Sequence, residues 1–230
     1  MTALPVPVIA IDGPSGVGKG TACGHLSSRL GFKLLDSGSL YRLVGLACEW
    51  DGVSLDDDAG CTEVARALDA SFEHANGRLR VWMNDREVSA LIRTEKAGQD
   101  ASKVAVNQGV RDALLDWQRH AAKWPGLVAD GRDMGTVVFP NAGLKIFLDA
   151  STEERARRRH QQLLDSGQSV TLAAVLEEMR ERDVRDRTRE AAPLEAAQDA
   201  KILDTSTLTL DAMLGQVDQW ADEYLSNLGN

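Results

Sequence analysis

The sequence predicts an α/β protein, a five-stranded parallel sheet flanked by helices with a small antiparallel β insert. Three observations predict it. Five short apolar runs each stop at an aspartate, in Asp12-Gly13, Asp36-Ser37, Asp130-Gly131, Asp149-Ala150 and Asp204-Thr205. Segments of helical period separate most of these runs, the alternation expected of a parallel sheet covered on both faces. Between about residues 71 and 88 the period changes from 3.6 to 2, which places extended strands outside the main sheet.

The first strand comes from Val6, Val8, Ile9 and Ile11. It breaks into Gly13, Pro14, Ser15, Gly16, Val17, Gly18, Lys19, Gly20 and Thr21, and a helix-compatible segment follows. Strand, G-x-x-x-x-G-K loop and helix form a phosphate cradle: glycines let successive N–H groups turn inward, and the helix N-terminus and Lys19 add positive charge. The chain is therefore expected to bind a nucleoside triphosphate. Gly20 stands where the strict motif has a Ser or Thr that ligates Mg²⁺, so the metal is expected on phosphate oxygens and water, with at most a carboxylate from elsewhere. No Asn-Lys-x-Asp guanine-reading tetrapeptide occurs, which weakens a GTPase reading.

Residues 21–30 read as a helix, Lys33-Leu34-Leu35 as a strand and Ser39–Trp50 as a helix, with Asp51–Gly60 as a linker. Residues 71–75, 79–83 and 87–88 read as three strands, the first two joined by Asn76-Gly77, a strong hairpin signal. This gives an inserted subdomain over 62–97 and a core of 1–61 and 98–230. Helices are expected at 98–106 and 108–122, the latter with Val110, Leu114, Trp117 and Ala121 on one stripe and Arg111 on the polar face. Leu127-Val128-Ala129 and Leu144–Leu148 are buried strands. Helices at 152–166 and 171–183, a strand at Ile202-Leu203 and a helix at 209–226 complete the order.

At the strand ends, Asp149 and Asp204 read as caps for the helices that follow. Asp130-Gly131-Arg132-Asp133 differs, because two carboxylates flank an arginine where a cap needs only one. A ligand role is favoured there, at the end of the sheet. The run Arg180 to Arg189 uses arginine throughout its basic positions. By charge pattern alone it suits a solvated, salt-bridged helix end equally well. Beside a phosphate loop, bidentate phosphate contacts become the favoured reading.

Composition narrows the function. A net charge of −9 argues against a nucleic-acid or membrane-surface partner. Residues 155–189 nevertheless hold nine arginines against six carboxylates, a local excess suited to a small, highly anionic ligand. The three cysteines are odd in number and lack a C-x-x-C pair, so neither a disulfide framework nor a zinc site is indicated. The four histidines show no metal-ligand spacing. Without a signal-like N-terminal segment or a stretch long enough to span a membrane, the expected location is cytoplasmic.

Over almost its whole length the chain resembles the bacterial cytidylate kinases of the nucleoside monophosphate kinase superfamily. The resemblance rests on Ile11–Thr21, Leu35–Arg42, Ile92-Arg93-Thr94, Asp130–Pro140, Lys145–Ala150 and Glu181–Arg189. It implies a P-loop kinase fold, ATP:CMP phosphotransferase activity with dCMP also accepted, a lid at about 155–168, and a monomer. By motif match, Gly13–Thr21 would bind ATP phosphates, with Lys19 bridging donor and transferred groups, and Arg157 and Arg158 would face ATP. Arg42 and Arg132 would hold the CMP phosphate, and Ser37, Arg111 and Asp133 would read cytosine. Ser102, Arg182 and Asp186 would lie near the sugar, and Asp130 joins this substrate set. Lys19, Arg132, Arg182 and Arg189 would be the catalytic groups. Another small-molecule kinase with the same loop and a nucleotide-hydrolysing switch remain open as alternatives.

Overall fold

In a computed structural model, which describes residues 6–75 and 78–228, the chain forms two compact units. One comprises the residues up to Asp36 with those from Gln118 onward; the other is Ser37–Trp117. In chain order the elements begin β1 (Val8–Asp12), α1 (Lys19–Leu30), β2 (Lys33–Asp36), α2 (Ser37–Asp51), α3 (Asp58–Arg66), β3 (Ala70–Ala75), β4 (Arg78–Met83) and β5 (Arg86–Glu87). They continue with α4 (Glu95–Val104), α5 (Gln108–His120), β6 (Leu127–Gly131), β7 (Leu144–Asp149), α6 (Thr152–Asp165), α7 (Leu172–Thr188), β8 (Lys201–Asp204) and α8 (Leu210–Leu228). A 3₁₀ turn covers Leu91–Arg93 and a π turn Met134–Val138.

In the first unit the strands lie in the order β2-β6-β1-β7-β8, and every pairing is parallel. Strand β1 is buried along its whole length, as a central strand covered on both faces must be. Ile9 and Ile11 pack with Val128, Ile146 and Leu148 into one core, closed by Leu26 of α1 and by Met213 and Val217 of α8. The register pairs Asp12 with Gly131, Asp36 with Asp130, and Asp149 with Asp204, so the aspartates collect along one edge of the sheet.

Asp12 does more than end its strand. It is buried, and its two carboxylate oxygens accept the N–H groups of Met134 and Gly135, each at 2.8 Å. The π turn after β6 is thereby clamped to the end of β1.

Two expected caps fall elsewhere. The Asp149 carboxylate accepts its neighbour Ala150 N–H, and α6 is capped by Ser151, which accepts Glu154 N–H at 3.2 Å. Asp204 accepts Ser206 N–H, while Thr209 accepts Ala212 N–H in the first turn of α8. In both places the chain leaves the strand before turning helical, and the nearer hydroxyl takes the capping position.

The second unit holds α2, α3, α4, the part of α5 up to Trp117, and the antiparallel sheet β3-β4-β5. Its sheet contains the expected strands, whereas Asn76-Gly77 lies outside the described residues. Val81 and Met83 alternate inward on β4. Helix α2 packs closely on α4, where a Cβ on Gly45 would lie 3.0 Å from that of Asp100. The expected linker over 51–60 already contains the start of α3, capped by Asp57. The α5 stripe also breaks early: Val110 and Leu114 are buried, but Trp117 is exposed and tilts against Phe72 at 5.4 Å between ring centroids. Burial pushes the Cys48 thiol, 3.7 Å from that of Cys61, up to about 12. No helix among the described residues is long and apolar enough to cross a membrane.

The Asp12 clamp is testable. Asp12→Ala leaves two interior N–H groups without acceptors, at about 1–3 kcal/mol each. The variant should lose about 2–6 kcal/mol, read as a lower urea midpoint with an unchanged slope. A wild-type midpoint would show that other contacts hold the turn.

Candidate functional site

The loop between β1 and α1 begins at Gly13, whose φ is +147°. A Cβ there would sit 2.0 Å from the Leu148 carbonyl oxygen, so only glycine lets β1 turn into the loop beside β7. Gly18 precedes α1 with φ +96° and brings no capping side chain to its first turn. The N–H groups of that turn are thus the donors this loop presents, at the positive end of the helix.

Lys19 follows directly. It is buried, and its Nζ donates to the carbonyl of Pro14 in its own loop at 2.7 Å. Burial, reinforced by the nearby Arg132, pushes its pKa down to about 8 against the pull of Asp130. Asp130 is shifted the other way, since burial outweighs the attraction of Lys19. Burial likewise lifts the Asp12 carboxyl to about 7, against the two backbone N–H groups that hold it. Lys19, Asp12 and Asp130 thus bring charges of both signs together at this end of the sheet, with Lys19 and Asp12 buried, the kind of environment common at functional sites.

A second set lies around Asp186 on α7, which is almost fully buried. Arg132 Nε donates to Asp186 Oδ2 at 3.1 Å, and Arg182 Nε lies 3.9 Å from the same oxygen. Burial would raise this carboxyl, but Arg132, Arg182 and Arg189 outweigh it and hold the pKa below the usual range. Arg189 reaches Asp133 at 3.9 Å and donates from Nε to the Ala192 carbonyl at 2.8 Å. Asp133 is buried at the mouth of the π turn, where its own carbonyl accepts Val137 N–H and Val138 N–H. Lys19, Asp130, Arg132, Asp133, Arg182, Asp186 and Arg189 are thus all carried by the first unit. Arg132, Arg182 and Arg189 all lie near Asp186 there, with Arg189 also beside Asp133, and guanidiniums so gathered suit phosphoryl oxygens.

The second unit carries Ser37 and Arg42 on the first turns of α2, Ser102 on α4 and Arg111 on α5. Arg42 donates to the carbonyls of Ile92 and Thr94, at 2.7 and 3.2 Å. Ser37 and Ser102 are buried. Arg111 departs from expectation. It is buried, donates to the Ala105 carbonyl at 3.3 Å, and has its guanidinium carbon 5.7 Å from the centre of the Tyr41 ring. Its position on the helix is polar by pattern, but the face is packed.

The arginine-rich run divides. Arg180 pairs with Glu153, Arg185 lies 3.9 Å from Glu181, and Arg187 lies 3.8 Å from Asp149, the salt-bridged arrangement its charge pattern equally suited. Arg157 is exposed and pairs with Glu154. Arg158 donates to the Thr205 carbonyl at 2.6 Å and to its hydroxyl at 3.2 Å. Sequence reasoning passed over Asp12, Arg155 and Thr205. Arg155 is more deeply buried than any of these arginines and bonds the loop itself, donating to the Ser15 carbonyl at 3.2 Å.

A family model described as cytidylate kinase matches residues 9–223 of the chain. The chain is 54% identical over 215 residues to a cytidylate kinase of Cupriavidus necator, covering 94% of this chain and 95% of the relative. It is 50% identical over 221 residues to that of Aeromonas salmonicida, covering 96% of each. Among solved structures, an uncharacterized protein from Eubacterium ventriosum aligns with a TM-score of 0.51 at 15% identity. That match covers 94% of this chain and 98% of the other, and is a likeness of fold.

The Lys19 shift predicts a pH dependence. Its charge is lost as pH rises through about 8 rather than through the ordinary value of 10.5. Above that point Mg-free ATP should bind more weakly, its Kd rising by up to about tenfold per pH unit. Calorimetric titration across this range should show the bend in log Kd for the natural chain, and Lys19→Arg should abolish it. A plot that bends only near the ordinary lysine value would contradict the buried, depressed Lys19.

Proposed function

Since the chain belongs to the cytidylate kinase family, we propose that it transfers the γ-phosphoryl group of ATP to CMP or dCMP, yielding ADP and CDP or dCDP. The observation that carries this reading is the first unit's charge arrangement, in which the phosphate loop with its buried Lys19 shares one sheet edge with the arginine set around Asp186. Phosphoryl transfer asks for alignment and for neutralisation of charge spreading over the moving group, and needs no covalent protein nucleophile.

On this reading Gly13–Thr21 cradle the ATP phosphates. Lys19 exchanges its bond to the Pro14 carbonyl for phosphate oxygens of the donor, and follows the group as it moves. Arg132, Arg182 and Arg189 receive the charge that develops, since each already sits in a buried or half-buried setting where electrostatic contacts are strong. An acceptor phosphate oxygen attacks the γ-phosphorus, the bond to the bridging oxygen breaks, and ADP leaves with that electron pair. Arg157, exposed and paired with Glu154, would turn to ATP, and Arg158 would have to leave Thr205 to join it.

Ser37, Arg42, Ser102, Arg111, Asp130, Asp133 and Asp186 serve the nucleoside monophosphate in this scheme. The charged partners available to Mg²⁺ suit a nucleotide-borne ion better than an all-protein cage. No group of three His, Cys, Asp or Glu that could hold a metal gathers among the described residues. Asp130, whose Oδ2 would lie 3.7 Å from a Cβ on Gly20, would hold it with phosphate oxygens and water. The ion, when bound with ATP, supplies neutralisation of the β- and γ-phosphates.

Two measurements test this proposal. In a coupled assay of ADP release, CMP and dCMP should exceed AMP and GMP in kcat/KM by about 10²-fold or more, because a pyrimidine-sized site with a fixed donor and acceptor fits a purine badly. Equal turnover of AMP would replace the assignment with another small-molecule kinase.

Asp133 gives the sharper test. Cytosine offers an exocyclic amine where uracil has a carbonyl, so Asp133 would face a donor in one base and an acceptor in the other. Such a mismatch costs about 1–3 kcal/mol when buried. Asp133→Ala should raise KM for CMP and shrink the CMP/UMP ratio of kcat/KM, with KM for ATP near its natural value. An unchanged ratio would remove Asp133 from base reading.

A further inference from the structure

A loop that turns its N–H groups inward to hold an anion turns carbonyl groups outward, and those carbonyls need donors of their own. The donors are identifiable here. The Pro14 carbonyl takes Lys19 Nζ, the Ser15 carbonyl takes Arg155 Nη1 at 3.2 Å, and the Val17 carbonyl lies 3.2 Å from the Thr205 hydroxyl. The Gly18 carbonyl takes the helical N–H of Ala22 at 3.0 Å. A bound phosphate competes for Lys19. Arg155 approaches the loop from its outer side, through a carbonyl.

Arg155 is only 2% exposed, and its fork is fully used. Nε donates to the Ala150 carbonyl at 3.0 Å, just beyond the end of β7. Nη1 serves both Ser15 and, at 3.1 Å, Asp183 Oδ1; Nη2 serves the Thr152 hydroxyl at 2.8 Å and Asp183 Oδ2. Five N–H groups meet five acceptors, so none remains for a nucleotide phosphate. This separates Arg155 from the arginines of α7 and from its neighbours Arg157 and Arg158. Gly16 adds a close fit, since a Cβ on it would lie 3.2 Å from Arg155 Cβ, with Gly16 itself at φ +83°.

The acceptors also belong to different elements. Arg155 sits on α6, Asp183 on α7, Ala150 after β7, and Ser15 in the loop. Helices α6 and α7 have a small core of their own, made of Ala156, Leu163, Val175 and Met179. We propose, resting on the phosphotransfer reading above, that Arg155 is a positioning residue. It fixes the Ser15 carbonyl outward, keeps the loop in its anion-accepting form, and fastens that form to the base of the α6–α7 hairpin.

The test compares Arg155→Lys with Arg180→Met. Lysine keeps the charge and the buried stem but has a single donor centre for five acceptors. Arg180→Met breaks the exposed α6–α7 ion pair to Glu153 and leaves the loop untouched. Calorimetry with ATP and with inorganic tripolyphosphate should show Kd raised about tenfold or more in Arg155→Lys, with CMP affinity within about twofold of natural. In turnover, KM for ATP should rise far more than KM for CMP, and Arg180→Met should match the natural chain throughout. Should Arg155→Lys fail to fold, Asp183→Asn, which frees the guanidinium from one charge while keeping shape, is read by the same criteria. Unchanged binding of both polyphosphates, or equal losses for ATP and CMP, would overturn the proposal. Its failure is distinct from failure of the phosphotransfer reading, which would appear as a natural chain that binds ATP and does not phosphorylate CMP.

Discussion

The turn at Gly13 constrains much of what surrounds it. Strands β1 and β7 run parallel in contact, and the chain leaves β1 where the Leu148 carbonyl fills the space a side chain would need. Because the departure is forced at that point, the following residues swing over the strand ends, and α1 starts at Lys19 with its positive end at the sheet edge. The neighbouring strands then supply what the loop requires. Strand β6 delivers Asp130 and, through Arg132 and Asp133, the arginine set; β7 delivers Ala150 and α6; β8 delivers Thr205. A phosphate site at the carboxyl edge of a parallel sheet follows from strand direction together with one residue that has no side chain.

The electrostatics of that edge carry a standing cost. Lys19 is held where its charge is disfavoured, and Asp12 and Asp130 are held where theirs are. Removing water from such groups is expensive unless hydrogen bonds and opposite charges offset it. Here Arg132, Arg182 and Arg189 lie near Asp186, Arg189 also reaches Asp133, and Lys19 feels Asp130 while its Nζ donates to a neutral carbonyl. A small, highly anionic ligand meets closely spaced positive charge among buried groups, where each contact is stronger than in water. The protein is acidic as a whole yet arginine-rich over residues 155–189, a balance that suits a small, highly anionic ligand.

How much of this was legible beforehand depends on the reach of each interaction. The strands, most helices and the loop follow from period and from local chemistry, and all five aspartate-ended runs became strands of one parallel sheet. Helix α3 was hidden because Asp57 and Asp58 read equally as linker and as cap plus first turn. Asp149 and Asp204 were assigned capping roles because sequence shows proximity to a helix, whereas capping depends on where the backbone turns. Asp12 was visible only as a strand end, since the turn it clamps lies about 120 residues along the chain. The polar pattern around Arg111 pointed outward, yet its position is buried by Tyr41 and the Ala105 carbonyl, which no helical wheel reports. In the arginine run every guanidinium looks alike in sequence. Three-dimensional partners divide them into surface pairs, a set around Asp186, and the loop-bound Arg155.

That division explains why arginine stands at positions with such different duties. Arg180 and Arg187 stand at the surface, where exposed ion pairs contribute little to stability and lysine would serve. Arg132 and Arg182 share one carboxylate, which calls for planar groups able to approach the same oxygen from different sides. Arg155 must satisfy acceptors on four chain segments at once from inside the protein, and an ammonium cannot reach them from one centre. The hairpin it joins has only a small core between its two helices, so its own packing gives modest resistance to local movement. A hairpin of this kind would drift relative to the loop unless something rigid crossed between them. The buried guanidinium crosses there, and it is anchored to the backbone of β7's end as well as to both helices. One buried side chain thus ties the base of the hairpin to the phosphate cradle and to the end of β7 at once.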